Sequence, residues 1–122
     1  IVVMRADRKQ IVSVKENDTV LIAYNRMRNS DFSQLPVLDN DKLVGIISED
    51  DIFNYCFDNK DGFSDKIINA MSKDLPKVDC KASIGDLSFV LSKDNFAMIM
   101  ENETFIGIVT KVDVLAYLKN IS

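Results

Sequence analysis

The chain repeats itself, and no other feature of the sequence limits its fold as much. Leu35–Phe53 aligns with Ala97–Leu115 without a gap, at the 62-position separation of Gly45 from Gly107. Asn40, Gly45, Ile46, Asp51 and Tyr55 recur as Asn102, Gly107, Ile108, Asp113 and Tyr117, and almost every other pair keeps its apolar or polar character. Upstream, Val14, Thr19, Val20 and Ala23 fall on Val78, Ser83, Ile84 and Leu87 at an offset of 64. The second copy is therefore two residues shorter between its first helix and its next strand. A fixed internal period means one structural unit used twice.

Each copy reads as strand, helix, strand, strand, helix. In the first, Ile11–Val14 is a short strand, and Asn17, Asp18 and Thr19 carry the side chains that start helices. Val20, Ala23, Tyr24 and Met27 follow at helical spacing. Leu35–Leu38, the polar turn Asp39–Asp41 and Leu43–Ile47 make a hairpin. Ser48 opens a closing helix with Ile52, Phe53 and Cys56 on its inner face. In the second copy, Ile84, Leu87, Ser88 and Leu91 line a helical face, Phe96–Met100 and Phe105–Val109 pair, and Val112–Leu118 closes. Asp58–Ser64 is a polar loop with a turn at Asp61 and Gly62, and Ile67–Met71 is a short helical or extended joint. Tyr24, Tyr55 and Tyr117 suit helix faces with a wet hydroxyl. Met98 and Met100 read as core strand residues.

A single copy of about sixty residues buries too little surface to be more than marginally stable. The expected fold is α/β (α+β): two pseudo-twofold-related β-α-β-β-α repeats packed sheet to sheet, with repeat 1 over residues 1–59 and repeat 2 over 60–122. Such a pair has two equivalent clefts at its junction, where binding sites favour forming.

Composition removes several classes of function. The net charge of −4 lacks the basic stripe that nucleic acid requires. Arg5, Arg8 and Lys9, and separately Arg26 and Arg28, read as small solvated patches. No apolar run approaches the eighteen or so residues of a membrane span. Ile1–Arg5 is too short for a signal peptide, so the chain reads as a piece of a longer cytoplasmic protein. There is no histidine, so neither a Ser-His nor a Cys-His nucleophile can be built. Cys56 and Cys80 lack zinc-ligand spacing and read as thiols in a reducing compartment. No catalytic residues and no metal ligands are expected.

The sharpest repeated element is Gly45-Ile46-Ile47-Ser48-x-x-Asp51, which returns as Gly107-Ile108-Val109-Thr110-x-x-Asp113. One reading is a capping box, in which the hydroxyl caps the helix and the carboxylate replies from the third helical position. The other is a ligand cradle. A helix start offers unpaired N–H groups and a positive dipole end to an anion. The carboxylate beside it can accept both hydroxyls of a ribose, and Ile and Val can cover an adenine. Both roles can share the same residues.

With Leu35-Pro36-Val37-Leu38-Asp39 ahead of the hairpin, these elements make the chain resemble the CBS-domain family over nearly its whole length. The resemblance implies a Bateman module, a regulatory non-enzyme that binds AMP, ADP, ATP or S-adenosylmethionine as effector. It implies that the aspartate holds ribose and the hydroxyl residue contacts phosphate or its equivalent. It also joins each corner to the segment before the second strand of the other copy. One site then combines Ser48 and Asp51 with Asn95, Phe96 and Ala97, and the other combines Thr110, Val112 and Asp113 with Phe32, Ser33, Gln34 and Leu35. A homodimer and a fused or partner enzyme are further implied. Asp31–Val37, Ser83–Leu91, Asp94–Met100 and Gly107–Leu115 are also similar to the C-terminal regulatory regions of cystathionine β-synthases. That narrower likeness implies a parent pyridoxal-phosphate-dependent lyase whose catalytic part this chain lacks.

The two corners differ in charge. Ser48-Glu49-Asp50-Asp51 sets consecutive acids where a polyphosphate would sit, whereas Thr110-Lys111-Val112-Asp113 carries one acid and one lysine. The second corner is the better candidate, and S-adenosylmethionine suits its charge. A structural dimerisation module without ligand is the alternative.

Overall fold

The structure, a computed structural model, describes residues 12–121. The expected Arg5, Arg8 and Lys9 patch and the start of the strand at Ile11 lie outside the described residues. The chain divides into two compact units, the first Val12–Leu75 and the second running from Pro76.

The first unit contains β1 (Val14–Lys15), α1 (Val20–Ser30), β2 (Gln34–Asp39), β3 (Lys42–Ser48) and α2 (Glu49–Asp58). Its sheet has the order β1-β2-β3, with β1 parallel to β2 and β2 antiparallel to β3. A parallel pair needs a crossover, and α1 supplies it. Thr19 caps that helix by accepting the amide of Ile22. Asp31 ends it in the left-handed region at φ 60°, its amide bonded to the Met27 carbonyl. The Asn40–Asp41 turn joins β2 to β3, and both residues have positive φ, the geometry of a twist-compatible two-residue hairpin loop. The core is Val14, Val20, Ala23, Leu35, Val37, Ile47 and their neighbours, with Ile67 from the joining segment at 0% exposure. Each such aliphatic side chain contributes about 1.5–3 kcal/mol by leaving water.

The second unit repeats the plan with β4 (Lys77–Asp79), α3 (Ile84–Asp94), β5 (Phe96–Glu101), β6 (Thr104–Thr110) and α4 (Lys111–Asn120). Its sheet is ordered β4-β5-β6 with the same pairing senses. Both hairpins carry a register shift at the equivalent place, Val37/Leu38 and Ile99/Met100, which sets Gly45 opposite Val37 and Gly107 opposite Ile99. Val78, Leu87, Leu91, Ala97, Ile99, Ile106 and Val109 form this core, and Met98 and Met100 are also buried.

Residues 60–75, assigned by the sequence to the second repeat, pack within the first unit. Single turns of tight helix form at Gly62–Ser64 and Ile67–Asn69. Ile67 donates to Asp18 O at 2.8 Å, and Ile68 to Glu16 O at 3.0 Å. Ser72 then lies along β3, giving and taking a backbone hydrogen bond with Ile46 at 2.8 and 2.9 Å. The segment passes so close that a Cβ on Gly45 would stand 2.7 Å from Met71 Sδ and 2.9 Å from Ser72 O. The motif glycine of the first repeat is thereby explained by backbone crossing.

Some expectations are corrected. Strand β1 is Val14–Lys15, later than Ile11–Val14. Phe53 is 67% exposed and does not share the inner face of α2, where Ile52 is buried and Tyr55 and Cys56 pack against the core. The Tyr55 hydroxyl is not left to water but donates to Asp65 Oδ2 at 2.7 Å. Arg26 is also engaged, donating to Ser13 O at 2.7 Å, and Arg28 lies over the Tyr24 ring at 5.6 Å.

Candidate functional site

Each unit has a strand-to-helix corner where its last strand turns directly into its last helix. In the first, Ser48 is extended at φ −113° and leads straight into α2. The Asp51 amide donates to Ser48 Oγ at 3.1 Å, and the Ser48 amide donates to Asp51 Oδ2 at 2.9 Å. This is the reciprocal cap anticipated from the spacing. The Glu49 amide donates to Ser33 O at 3.0 Å, so another of the helix's leading N–H groups is already satisfied. Glu49, Asp50 and Asp51 all fall in the first turn. They answer the positive end of the helix, and an incoming anion meets three carboxylates there.

The second corner has the same backbone, with Thr110 at φ −118° before α4. The Thr110 amide donates to Asp113 Oδ2 at 2.8 Å, and the Thr110 hydroxyl lies 3.1 Å from the same oxygen. Asp113 is the only acid of this first turn, and it is exposed, whereas Asp51 is half-buried. Lys111 Nζ donates to Asn95 Oδ1 at 3.2 Å, which holds a cation beside the corner. Val112 is 72% exposed on the same turn.

The strand before each hairpin turn begins against the corner of its own repeat. Gln34 is paired with Ser48, and Phe96 with Thr110. Phe32, Ser33, Gln34 and Leu35 thus accompany Ser48 and Asp51, while Asn95, Phe96 and Ala97 accompany Thr110, Val112 and Asp113. This pairing lies within each repeat and does not bear on the segment of the other repeat that the family resemblance adds to each corner. The own-repeat grouping has a sequence signal. A two-residue turn fixes hairpin register, so the first strand must start opposite the end of the second. Phe32 is 43% exposed, Phe96 is half-buried, and Leu35 and Ala97 are fully buried. The last two pack the core and can offer only backbone to a ligand. Asn95 stands at φ 65°, in the left-handed region that asparagine tolerates well, and its amide caps α3 at Leu91 O.

Two further groups have shifted ionisation. The Tyr55 hydroxyl is raised above 10.0, chiefly by its hydrogen bond to Asp65 and then by burial. The Cys56 thiol is raised above 9.0, chiefly by burial and then by the charge of Asp65. Both lie on α2, and both shifts keep the neutral form. Cys56 and Cys80 are free thiols. Among the described residues, no group of three His, Cys, Asp or Glu is placed to hold a metal ion, and no helix is long and apolar enough to cross a membrane.

The family model of the CBS domain matches this chain twice, at residues 3–58 and 65–120. The chain is 29% identical over 110 residues to uncharacterized protein MJ1232 of Methanocaldococcus jannaschii, covering 88% of this chain and 36% of that protein. It is 33% identical over 111 residues to a cystathionine beta-synthase of Apis mellifera, covering 86% of this chain and 22% of that protein. The chain thus spans about two fifths or less of the length of the curated relatives it matches. Among solved structures, CBSX2 in complex with AMP superposes with a TM-score of 0.84 at 20% identity, covering 96% of this chain and 93% of the other.

Proposed function

The chain belongs to the CBS-domain family, as a tandem pair of repeats, and from that premise we propose that it is a regulatory module binding an adenosyl ligand at its strand-to-helix corners. The observation that carries this reading is the second corner. There an exposed aspartate, already oriented by the Thr110 amide and hydroxyl, stands at a helix start beside a lysine and no second acid. In this reading Asp113 accepts the ribose hydroxyls and Thr110 contacts the polar tail, with Val112 exposed on the same turn. The first corner, with Ser48 and Asp51, takes a second ligand more weakly because of its three acids.

The charge balance favours S-adenosylmethionine or AMP over ADP and ATP. One lysine offsets at most one or two negative charges, and S-adenosylmethionine is a zwitterion. Bound ligand controls an attached or partner protein by binding one of its states more tightly than another. A cystathionine β-synthase is one such protein, and the module self-associates as a homodimer. The two free thiols fit a cytoplasmic setting. A second reading, a structural dimerisation module with no ligand, draws support from the capping bonds that engage both aspartates.

Calorimetric titration with S-adenosylmethionine, AMP and ATP tests this function. Asp113→Ala removes hydrogen bonds to a charged acceptor worth about 1.5–3 kcal/mol, so affinity falls by at least about tenfold. Asp51→Ala leaves the tighter site intact, and circular dichroism checks that both variants fold. Unchanged affinity in Asp113→Ala sinks the assignment. A wild-type chain that binds none of the three, with no thermal shift, leaves the structural module standing.

A further inference from the structure

On the first unit, α1 and α2 border an open groove of about 1010 Å³. Its walls are aromatic: Tyr24 of α1, Phe53 and Phe57 of α2, and Phe63 of the segment that follows. Phe53 and Phe57 stack with centroids 5.9 Å apart and are 67% and 80% exposed. Tyr24 meets Phe63 edge-on at 5.5 Å. Contiguous exposed aromatic surface marks a place of contact. The dimensions suit a small molecule, since ligand pockets run to about 1,000 Å³. Neither Ser48 nor Asp51 lines the groove, so it is separate from the capped corner at the head of α2.

Charge selects among the possible occupants. Asp31, Glu49 and Asp50 line the groove as well, against one cation, Arg28. Among the described residues, none of these three carboxylates is in an ion pair. A cleft lined by one sign of charge concentrates the opposite sign. On α2, Glu49 stands four residues before Phe53, and Phe53 four before Phe57, which sets acid and rings along one helical stripe. A metal ion does not fit, because no three His, Cys, Asp or Glu among the described residues are placed to hold one. An organic cation does, because ring faces attract weakly hydrated positive charge. The groove already shows this chemistry once: the Arg28 guanidinium lies 5.6 Å from the centroid of the Tyr24 ring. Among the described residues, no cation stands over Phe53 or Phe57.

From these observations we infer that the aromatic groove of the first unit binds a small organic cation, an alkylated ammonium or guanidinium compound, whose charge rests between the Phe53–Phe57 pair and the Glu49 and Asp50 carboxylates. The apolar part of the ligand lies on Tyr24 and Phe63. The site needs neither strand-to-helix corner and stands independently of the adenosyl reading. Cys56, half-buried, lines the same groove and can report on it.

The test uses the full chain with Cys80→Ser, which leaves Cys56 as its one thiol, and circular dichroism checks the fold. Two methanethiosulfonate reagents are compared, one carrying trimethylammonium and the other sulfonate. The ratio of their rates at Cys56, divided by the same ratio in the urea-unfolded chain, is about tenfold or more, equal to 1.4 kcal/mol of preference for the cation. Replacing both rings, Phe53→Leu with Phe57→Leu, keeps the acids and cuts that ratio at least about threefold. Choline slows the reaction of Cys56 with neutral N-ethylmaleimide, and its uncharged isostere 3,3-dimethylbutan-1-ol does not. A ratio no greater than in the unfolded chain overturns the site. A ratio unchanged by loss of both rings overturns the aromatic part in it, and equal protection by the isostere overturns the recognition of charge.

Discussion

Replacing Gly45 by alanine is a one-carbon change with a calculable penalty. The new Cβ falls 2.7 Å from Met71 Sδ and 2.9 Å from Ser72 O, both closer than real Cβ contacts allow. The sulfur can swing aside, but the carbonyl oxygen is backbone and is held by Ile46. Overpacking of this kind costs about 1–3 kcal/mol. If the joining segment retreats instead, it gives up its two hydrogen bonds with Ile46, each worth about 1 kcal/mol. Either way the first unit loses roughly 1–3 kcal/mol, which lowers its midpoint by at least about 4 °C in a unit of this size. The chain has no tryptophan, so far-ultraviolet circular dichroism during urea unfolding is the suitable signal. The midpoint should fall while the slope with denaturant stays constant. Gly85→Ala is the matched contrast. It lies in α3 with Ser83 Oγ as its nearest neighbour at 3.6 Å, and it should stabilise by about 0.5–1 kcal/mol through helix propensity. A Gly45→Ala chain within about 0.5 kcal/mol of wild type would show that the crossing at Ser72 does not constrain this position.

Ser48→Ala removes the acceptor for the Asp51 amide and should cost about 1 kcal/mol in the same unfolding assay; no loss would mean the cap does not hold α2. The Tyr55 hydroxyl ionises later in the folded chain than in the unfolded one. Its contribution is therefore fully present below pH 10 and disappears as pH rises through its folded value. Wild type should lose more stability than Tyr55→Phe as pH rises above 10, and equal losses would mean the bond to Asp65 is absent in solution. Absorbance near 295 nm should show the late tyrosinate step in wild type and not in that variant.

Much of this architecture is legible in the sequence because periodicity reports burial. The apolar spacing of Val20, Ala23 and Met27 marks the inner face of α1, and the alternating hairpins flank obvious turns. The two corners are legible for a different reason: capping needs a hydroxyl and a carboxylate three residues apart, and both repeats supply them. Phe53 was misplaced because adjacent residues on a helix point about 100° apart. Ile52 already occupied the inward place, so an aromatic beside it turned outward. Tyr55 found Asp65 across a loop, and no local pattern announces such a pairing. The segment after α2 was least legible. Its hold on the first unit comes from a few backbone bonds and Ile67, too short a stretch to show any period.

That last feature has a bearing on how the gene can be cut. The stretch that was copied and the stretch that closes a core have different borders, because Ser72 seals the flank of β3 from beyond the end of the first copy. A fragment stopping at residue 59 would present a raw sheet margin, the kind of surface on which chains stack and precipitate. One ending after Leu75 would carry its own hem.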